Sequence, residues 1–278
     1  MIVHCHRGMG DSIYSRAFVK NLPKPVYLDT PWPEIYKGIP GVHFVKPQTA
    51  LRTQSKNISR HAGWEIAPRG VAQLTPRYGT EGIIPGLTKT FGVAPAEFDL
   101  PPLPPSPEAG AYVVVRPATL RQEWRADTRN PDPYYINYAA HYAEAHGYRI
   151  VSVADLEDGR EWMLPGHDYP IDACYHKGEL NVEQLLALVR GAAAVIGGIG
   201  WIVPACIAAK VPAWIICGGQ GGHNAPELIC PPGSTITFAV PDNFCRCVAK
   251  QHNCDKRISD YDAKLTRWAN QALPLVEC

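Results

Sequence analysis

The chain has no run of about 18 apolar residues, so no membrane-spanning helix is expected. Its N-terminus, MIVHCHRGMGD, holds only a short apolar stretch before turning polar. A secretory signal needs a longer apolar region and a small-residue cleavage site, and none is expected. Charge of one sign is also missing. Lys and Arg number 27 against 26 Asp and Glu, a formal net charge of +1. The surface as a whole is therefore not built to grip a polyanion, although a local basic cleft stays open. No internal repeat is visible. The first glycine turn lacks the full G-x-G-x-x-G spacing, which argues against an NAD-type oxidoreductase.

What is present describes a globular protein. The 278 residues are 46% hydrophobic and 19% charged, enough for one large α/β unit or two ordinary domains. Nine cysteines in a chain without a signal peptide read as reduced thiols in a cytoplasm, bacterial or that of a virus-infected host. The 27 prolines cluster in loops and predict stiff connections.

Hydrophobic periodicity gives an α/β alternation. Strands are expected at Ile2–His6, Val26–Asp29 and Val42–Val45, with a helix over Ser12–Leu22 and a helical piece at Trp32–Lys37. Residues 48–100 show no sustained period and predict long loops and short helices. Pro101–Pro107 reads as a stiff linker. A second series follows, with strands at Tyr112–Val115, Arg149–Val153, Ala194–Ile196 and Pro212–Cys217. Helices are expected at Pro133–His146, Asn181–Arg190, Trp201–Ala209 and Asp260–Ala272. The order fits parallel sheets with right-handed crossovers. The division expected is residues 1–104, 111–257 and a closing helical segment, 258–278.

Several clusters carry chemistry. Gly8-Met9-Gly10-Asp11 sits between the first strand and helix, where glycines allow close approach and a helix start favours anions. Asp11 reads either as a general base at the mouth of a cleft or as a helix N-cap. Gly197-Gly198-Ile199-Gly200, followed by Trp201, opens a later helix and suits a diphosphate held on backbone N–H groups. Arg116, Arg121, Arg125 and Arg129 crowd the segment after Tyr112–Val115. Arg116 and Arg121 are the ones expected on phosphate. Asp155 and Glu157 suit a ribose hydroxyl or a turn. Glu179 and Asn181 suit a nucleoside or, more simply, a helix cap. Trp64, Arg69, Arg77 and Tyr78, in the irregular region, suit an acceptor by stacking and charge, or are packing residues. Cys230, Cys245, Cys247 and Cys254, with His252 nearby, form the densest thiol cluster. A structural zinc, disulfides and unlinked thiols are the three readings.

The turn at Gly8–Asp11 resembles the N-terminal glycine–aspartate motif of the lipopolysaccharide heptosyltransferases, glycosyltransferase family nine. Pro33–Val45 is similar to the family's next helix and strand. Gly178–Pro212, GELNVEQLLALVRGAAAVIGGIGWIVPACIAAKVP, is similar to the segment carrying the donor phosphate loop. Residues 48–100 and the cysteine-rich tail do not match. The resemblance implies a GT-B fold of two Rossmann-like domains around a central cleft. The acceptor would lie on the first, the nucleotide-sugar on the second, and the terminal helix would cross back to the first. It also implies inverting transfer without a catalytic metal or other cofactor. Asp11 would be the base, and Gly198, Ile199 and Gly200 the phosphate loop, with Gly10 and Trp201 beside it. The family's Asp-Thr-Gly is Gly198-Ile199-Gly200 here, and its following histidine is Val203. Phosphate binding then falls on backbone N–H groups and on Arg116 or Arg121.

The function expected is therefore a glycosyltransferase taking a nucleotide-sugar donor to an acceptor hydroxyl on a saccharide. Two alternatives stand beside it. One is a viral DNA glycosyltransferase modifying hydroxymethylated pyrimidines, with the arginines of residues 52–77 meeting phosphates. The other is a non-catalytic nucleotide- or glycan-binding module, suggested by the missing threonine.

Overall fold

A computed structural model describes residues 1–276. In the first part, β1 (Ile2–His4), α1 (Met9–Val19), β2 (Val26–Asp29) and β3 (Val42–Val45) are followed by α2 (Arg52–Arg60), β4 (Gln73–Leu74) and α3 (Ile83–Phe91). The four strands form one parallel sheet in the order β3-β2-β1-β4. The second part opens with β5 (Tyr112–Arg116), β6 (Thr119–Arg121), α4 (Pro133–Ala145), β7 (Arg149–Val153), β8 (Glu161–Met163) and β9 (Ala173–Tyr175). It continues with α5 (Val182–Gly191), β10 (Ala194–Gly198), α6 (Ile202–Ala209), β11 (Ala213–Ile216), the short α7 (Gly221–Asn224) and α8 (Pro226–Ile229), β12 (Ile236–Ala239) and α9 (Tyr261–Ala272). Six of its strands make a parallel sheet, β12-β11-β10-β5-β7-β9, and β6 pairs with β8 antiparallel.

The central strands explain themselves. β5 reads YVVVR and β11 AWII, and their apolar residues are almost wholly buried. Continuous β-branched runs are what a parallel sheet covered on both faces requires. Helix starts are set locally. Asp132 caps α4, accepting from the Tyr134 N–H at 3.0 Å, with Pro133 in the first turn. Asn181 and Gln184 form a reciprocal capping box on α5, at 2.9 and 3.0 Å, so capping accounts for Asn181.

The closing helix departs from expectation. α9 does not cross back to the first sheet. It lies on the second, where Leu265 and Trp268 are buried with Trp214, Tyr135 and Ile216. Trp214 Nε1 donates to Tyr261 Oη at 2.8 Å, and Tyr261 Oη donates to the Tyr135 carbonyl at 2.6 Å. The chain beyond stays there too, with Val276 N–H on the His146 carbonyl at 3.1 Å. An aromatic-lined socket for Trp268 and Leu265 is the physical reason. Burying each is worth about 1.5–3 kcal/mol.

The two sheets are joined by one apolar core that includes Val3, Phe18, Val114, Val195 and Cys206. α1 packs on α6, and Tyr14 Oη donates to the Ile229 carbonyl. Arg52 of α2, almost buried, meets Asp155, Glu157 and Glu161 at 3.0–3.1 Å, and Lys56 adds a bond to Asp155 at 3.1 Å. Asp155 and Glu157 therefore serve this ion cluster.

Three histidines tie stability to pH. Burial lowers the pKa of His6, His167 and His176 below 6.5. His167 Nε2 accepts the Ala118 N–H at 3.0 Å, and His176 Nε2 lies 2.7 Å from Ser152 Oγ. The unfolded chain binds protons first on acidification, so this stability is whole above about pH 6.5 and is lost as pH falls below it. Carboxylates whose pKa is lowered, such as Asp29 and Asp99, lose theirs only below about pH 4. Urea unfolding should therefore give a lower free energy at pH 5.5 than at pH 7.5. A flat profile over that interval would contradict the assignment.

Candidate active site and metal centre

The first wall of the site is the loop from β1 into α1. Arg7 anchors it, with Nη1 and Nη2 donating to Asp29 at 2.8 and 3.2 Å. Trp32 Nε1 donates to the Arg7 carbonyl at 2.8 Å. α1 begins three residues earlier than its sequence suggests, with Gly8 at the N-cap. Asp11 therefore lies within the first turn and does not cap the helix. Its Oδ1 accepts from Tyr78 Oη at 2.6 Å. The Tyr78 ring stacks on His6, centroids 4.3 Å apart. Burial, then the Asp11 carboxylate, raise the Tyr78 pKa far out of reach, so the phenol remains a donor. His6 is held neutral by burial, and its Nε2 has no hydrogen-bond partner among the described residues.

The two glycines of this turn leave room for close neighbours. Gly8 has ordinary extended φ and ψ of −74° and 140°, but a Cβ there would strike the Asp11 carboxylate. A Cβ on Gly10 would stand 3.1 Å from Trp201 Cα and 3.3 Å from Pro204 Cγ. Gly10 is thus the point of close approach between α1 and the start of α6.

The second wall starts at the end of β10. Gly197 and Gly198 belong to the strand, paired with Ile215 and Ile216. Gly198 does not line the cavity; a Cβ there would stand 2.8 Å from Pro131 Cδ. The turn proper is Ile199–Trp201, and α6 follows. The first amides of a helix lack intrahelical acceptors and attract anions.

Arg116 ends β5, with Nη1 3.6 Å from the place a Gly200 Cβ would occupy. Burial, then the nearby Arg121, bring its pKa down to about 10. The Arg129 guanidinium is likewise lowered by burial and by Arg121, and its Nε has no partner. Neither Arg116 nor Arg129 has a carboxylate within ion-pair distance among the described residues. Arg121 differs, pairing with the buried Glu161 at 2.8 Å.

These walls enclose a cavity of about 640 Å³, a size suited to a small organic ligand. Gly10, Asp11, Arg116, Arg121, Ile199, Gly200 and Trp201 all line it, and Tyr78 reaches it through Asp11. Trp64, Arg69 and Arg77 do not. Trp64 packs edge-on against His61, centroids 4.5 Å apart. Arg69 and Arg77 are exposed, and Arg77 is bound through its backbone to Thr90. The arginines of residues 52–77 make no common basic face for DNA either. Arg52 is enclosed by carboxylates, and Arg60 donates to the Gly178 carbonyl at 3.0 Å. His6, Trp124 and Arg129 line the cavity and were not singled out from sequence. Arg129 was visible only as one member of an arginine-rich segment.

A separate cluster forms near the C-terminal end. One donor atom each from Cys245, Cys247, His252 and Cys254 lie within 4.8 Å of one another. Cys247 and Cys254 Sγ are 3.7 Å apart, and His252 Nδ1 is 3.2 and 3.6 Å from Cys254 and Cys245 Sγ. A tetrahedral ion with metal–sulfur bonds of about 2.3 Å sets sulfurs about 3.8 Å apart, so the donor set fits. The Cys247–Cys254 spacing is too long for a disulfide. Cys230 is not in the cluster; its Sγ lies 2.8 Å from Ser234 Oγ. The expected four-cysteine set is thus corrected to three cysteines and His252.

No known family's sequence profile matches the chain, and no curated protein does. Solved structures do. The iron-containing dodecameric glycosyltransferase TibC from enterotoxigenic E. coli H10407 aligns with 98% of this chain and 75% of its own, at 15% identity and TM-score 0.61. TibC in complex with ADP-D-beta-D-heptose aligns over the same shares at 14% identity and TM-score 0.59. A family 9 glycosyltransferase from Veillonella parvula aligns with 98% of this chain and 96% of its own, at 10% identity and TM-score 0.61. The fold is GT-B. Among the described residues no helix is long and apolar enough to cross a membrane.

Proposed function

We propose that the chain is an inverting glycosyltransferase that moves a sugar from a nucleotide-sugar to an acceptor hydroxyl on a saccharide. One observation carries the reading. A carboxylate, Asp11, shares a cavity with two half-buried arginines that have no ion-pair partner among the described residues, Arg116 and Arg129, and with the N-terminus of α6. Buried positive charge without a partner is costly unless an anion joins it. A diphosphate would supply that anion, and TibC, of like fold, has been seen with ADP-heptose.

The chemistry follows from the placement. The acceptor oxygen attacks the anomeric carbon and forms the new glycosidic bond. Asp11 takes the hydroxyl proton, while Tyr78 fixes its Oδ1 and so the carboxylate's orientation. The bond from the anomeric carbon to the diphosphate oxygen breaks, and its electron pair leaves with the phosphate. Arg116, Arg129, Arg121 and the amides at Gly200–Ile202 offset that charge, which removes the need for a metal at the reacting centre. A single displacement inverts the anomeric configuration. The threonine absent from the phosphate loop leaves this duty to the arginines.

We also propose that Cys245, Cys247, His252 and Cys254 hold one metal ion as a structural staple. Such an ion would cross-link residues 245–254, a loop with no helix or strand of its own. Zinc and iron both suit three thiolates and an imidazole. None of the four ligands lines the cavity.

Two tests address these proposals. A thermal-shift screen of nucleotide-sugars, ADP-heptose included, should identify a stabilising donor. With that donor, Asp11→Asn should lose at least about 100-fold in turnover and retain donor binding. Full activity of the variant would remove Asp11 as base, and a screen with no stabilising donor would remove the reading altogether. For the metal, elemental analysis should find one ion per chain in the wild type and in Cys230→Ser, and a large loss in Cys247→Ser. Loss in Cys230→Ser with retention in Cys247→Ser would restore the four-cysteine set.

A further inference from the structure

The metal clip and the arginine wall are in mechanical contact. The clip's backbone is bound to the turn after β11, with Gly221 N–H on the Cys245 carbonyl at 2.8 Å and Gly222 N–H on that of Cys247 at 3.1 Å. The same turn grips the segment that carries Arg129. Gly219 N–H donates to the Thr128 carbonyl at 2.6 Å. A Cβ on Gly219 would run into both Cys254 Sγ and Thr128 Cγ2, so these three residues are packed without slack. A Cβ on Gly218 would meet the carbonyls of Arg129 and Asn130.

The clip also touches that segment directly. Thr128 N–H donates to the Lys250 carbonyl at 3.1 Å, and Lys256 Nζ to that of Asp127 at 3.3 Å. Lys250 Nζ sits 4.0 Å from the centre of the Trp124 ring. Residues 124–130 thus lie between the clip and the cavity, and four of them, Trp124, Ala126, Arg129 and Asn130, line it. This stretch has only one turn of 3₁₀ helix, Asp127–Arg129, to hold it. Its position is set from outside.

We propose that closure of the Cys245–Cys247–His252–Cys254 clip on its metal ion positions Arg129, so that metal loading raises the affinity of the cavity for a diphosphate. This rests on the donor-site reading above and goes beyond it. The ion acts on the ligand through Thr128, Gly219 and the backbone, with no contact of its own. Two sites biasing one shared segment are coupled in both directions, so the diphosphate should also tighten metal retention.

The test measures pyrophosphate and ADP binding by titration calorimetry, with no turnover involved. Metal-loaded protein, chelator-treated protein and Arg129→Gln in both states are compared, with far-UV circular dichroism reporting the fold. The loaded wild type should bind pyrophosphate at least about tenfold more tightly than the metal-free wild type. Arg129→Gln should bind weakly in either state, with the metal effect largely gone. Lys256→Met retains all four ligands and should weaken pyrophosphate binding about threefold at unchanged metal content. That variant decides the matter if the metal-free chain unfolds. Equal affinity with and without metal, or a metal effect undiminished in Arg129→Gln, would overturn the coupling and leave the donor site standing. If the chain unfolds without metal, wild-type affinity in Lys256→Met would overturn it as well. A loaded wild type that binds neither pyrophosphate nor ADP would instead remove the donor-site reading, and the coupling with it.

Discussion

Arg116 and Arg129 are held where water has limited access, and among the described residues neither has a carboxylate within ion-pair distance. Their mutual repulsion with Arg121 is part of what lowers their pKa values. Elsewhere the chain is careful to pair such groups. Arg16 meets Asp99 at 2.9 Å, Arg7 meets Asp29, and Arg52 sits among three carboxylates. A chain that pairs these arginines and leaves two without an ion-pair partner in one cavity wall is what the proposed diphosphate site requires. The loops that differ from the glycosyltransferase pattern do not remove that charge.

The opposite wall is placed by contact between helices. Gly10 lets α1 approach Trp201 and Pro204, and this brings Asp11 into the same cavity as Gly200 and Arg116. Arg7, Asp29 and Trp32 fix the loop before it, and Tyr78 fixes the carboxylate itself. The arrangement is rigid where chemistry needs orientation. Local strain is not involved, since Gly8 is in ordinary extended conformation.

The central architecture was legible because buried parallel strands have a strong signal. Tyr112–Arg116, Arg149–Val153 and Ala194–Gly198 are apolar runs bounded by turns, and their reading needed little more than composition. Gln73–Leu74 and Ala173–Tyr175 were missed because two- and three-residue edge strands carry no period. Glycine marks turns, so Gly197 and Gly198 have the sequence signature of a loop. In the fold they are strand residues whose missing side chains make room for Arg116 and Pro131. The partner of Cys245, Cys247 and Cys254 is His252 rather than Cys230, a choice made by how a loop folds, which spacing does not encode. The bare state of Arg129 is likewise tertiary. Four arginines within fourteen residues look alike in sequence, and only packing shows that Arg121 meets Glu161 and Arg125 meets Asp127. The terminal helix followed its own apolar face onto the second sheet, against the habit expected of the resemblance.

The measurement that bears most directly on this account is a crystal structure with an unreactive nucleotide-sugar analogue bound. The account predicts the diphosphate between Gly200 and the Arg116 and Arg129 guanidiniums, with the anomeric carbon turned toward Asp11 across the cavity. A diphosphate bound elsewhere, or one seated there with its sugar directed away from Asp11, would contradict it.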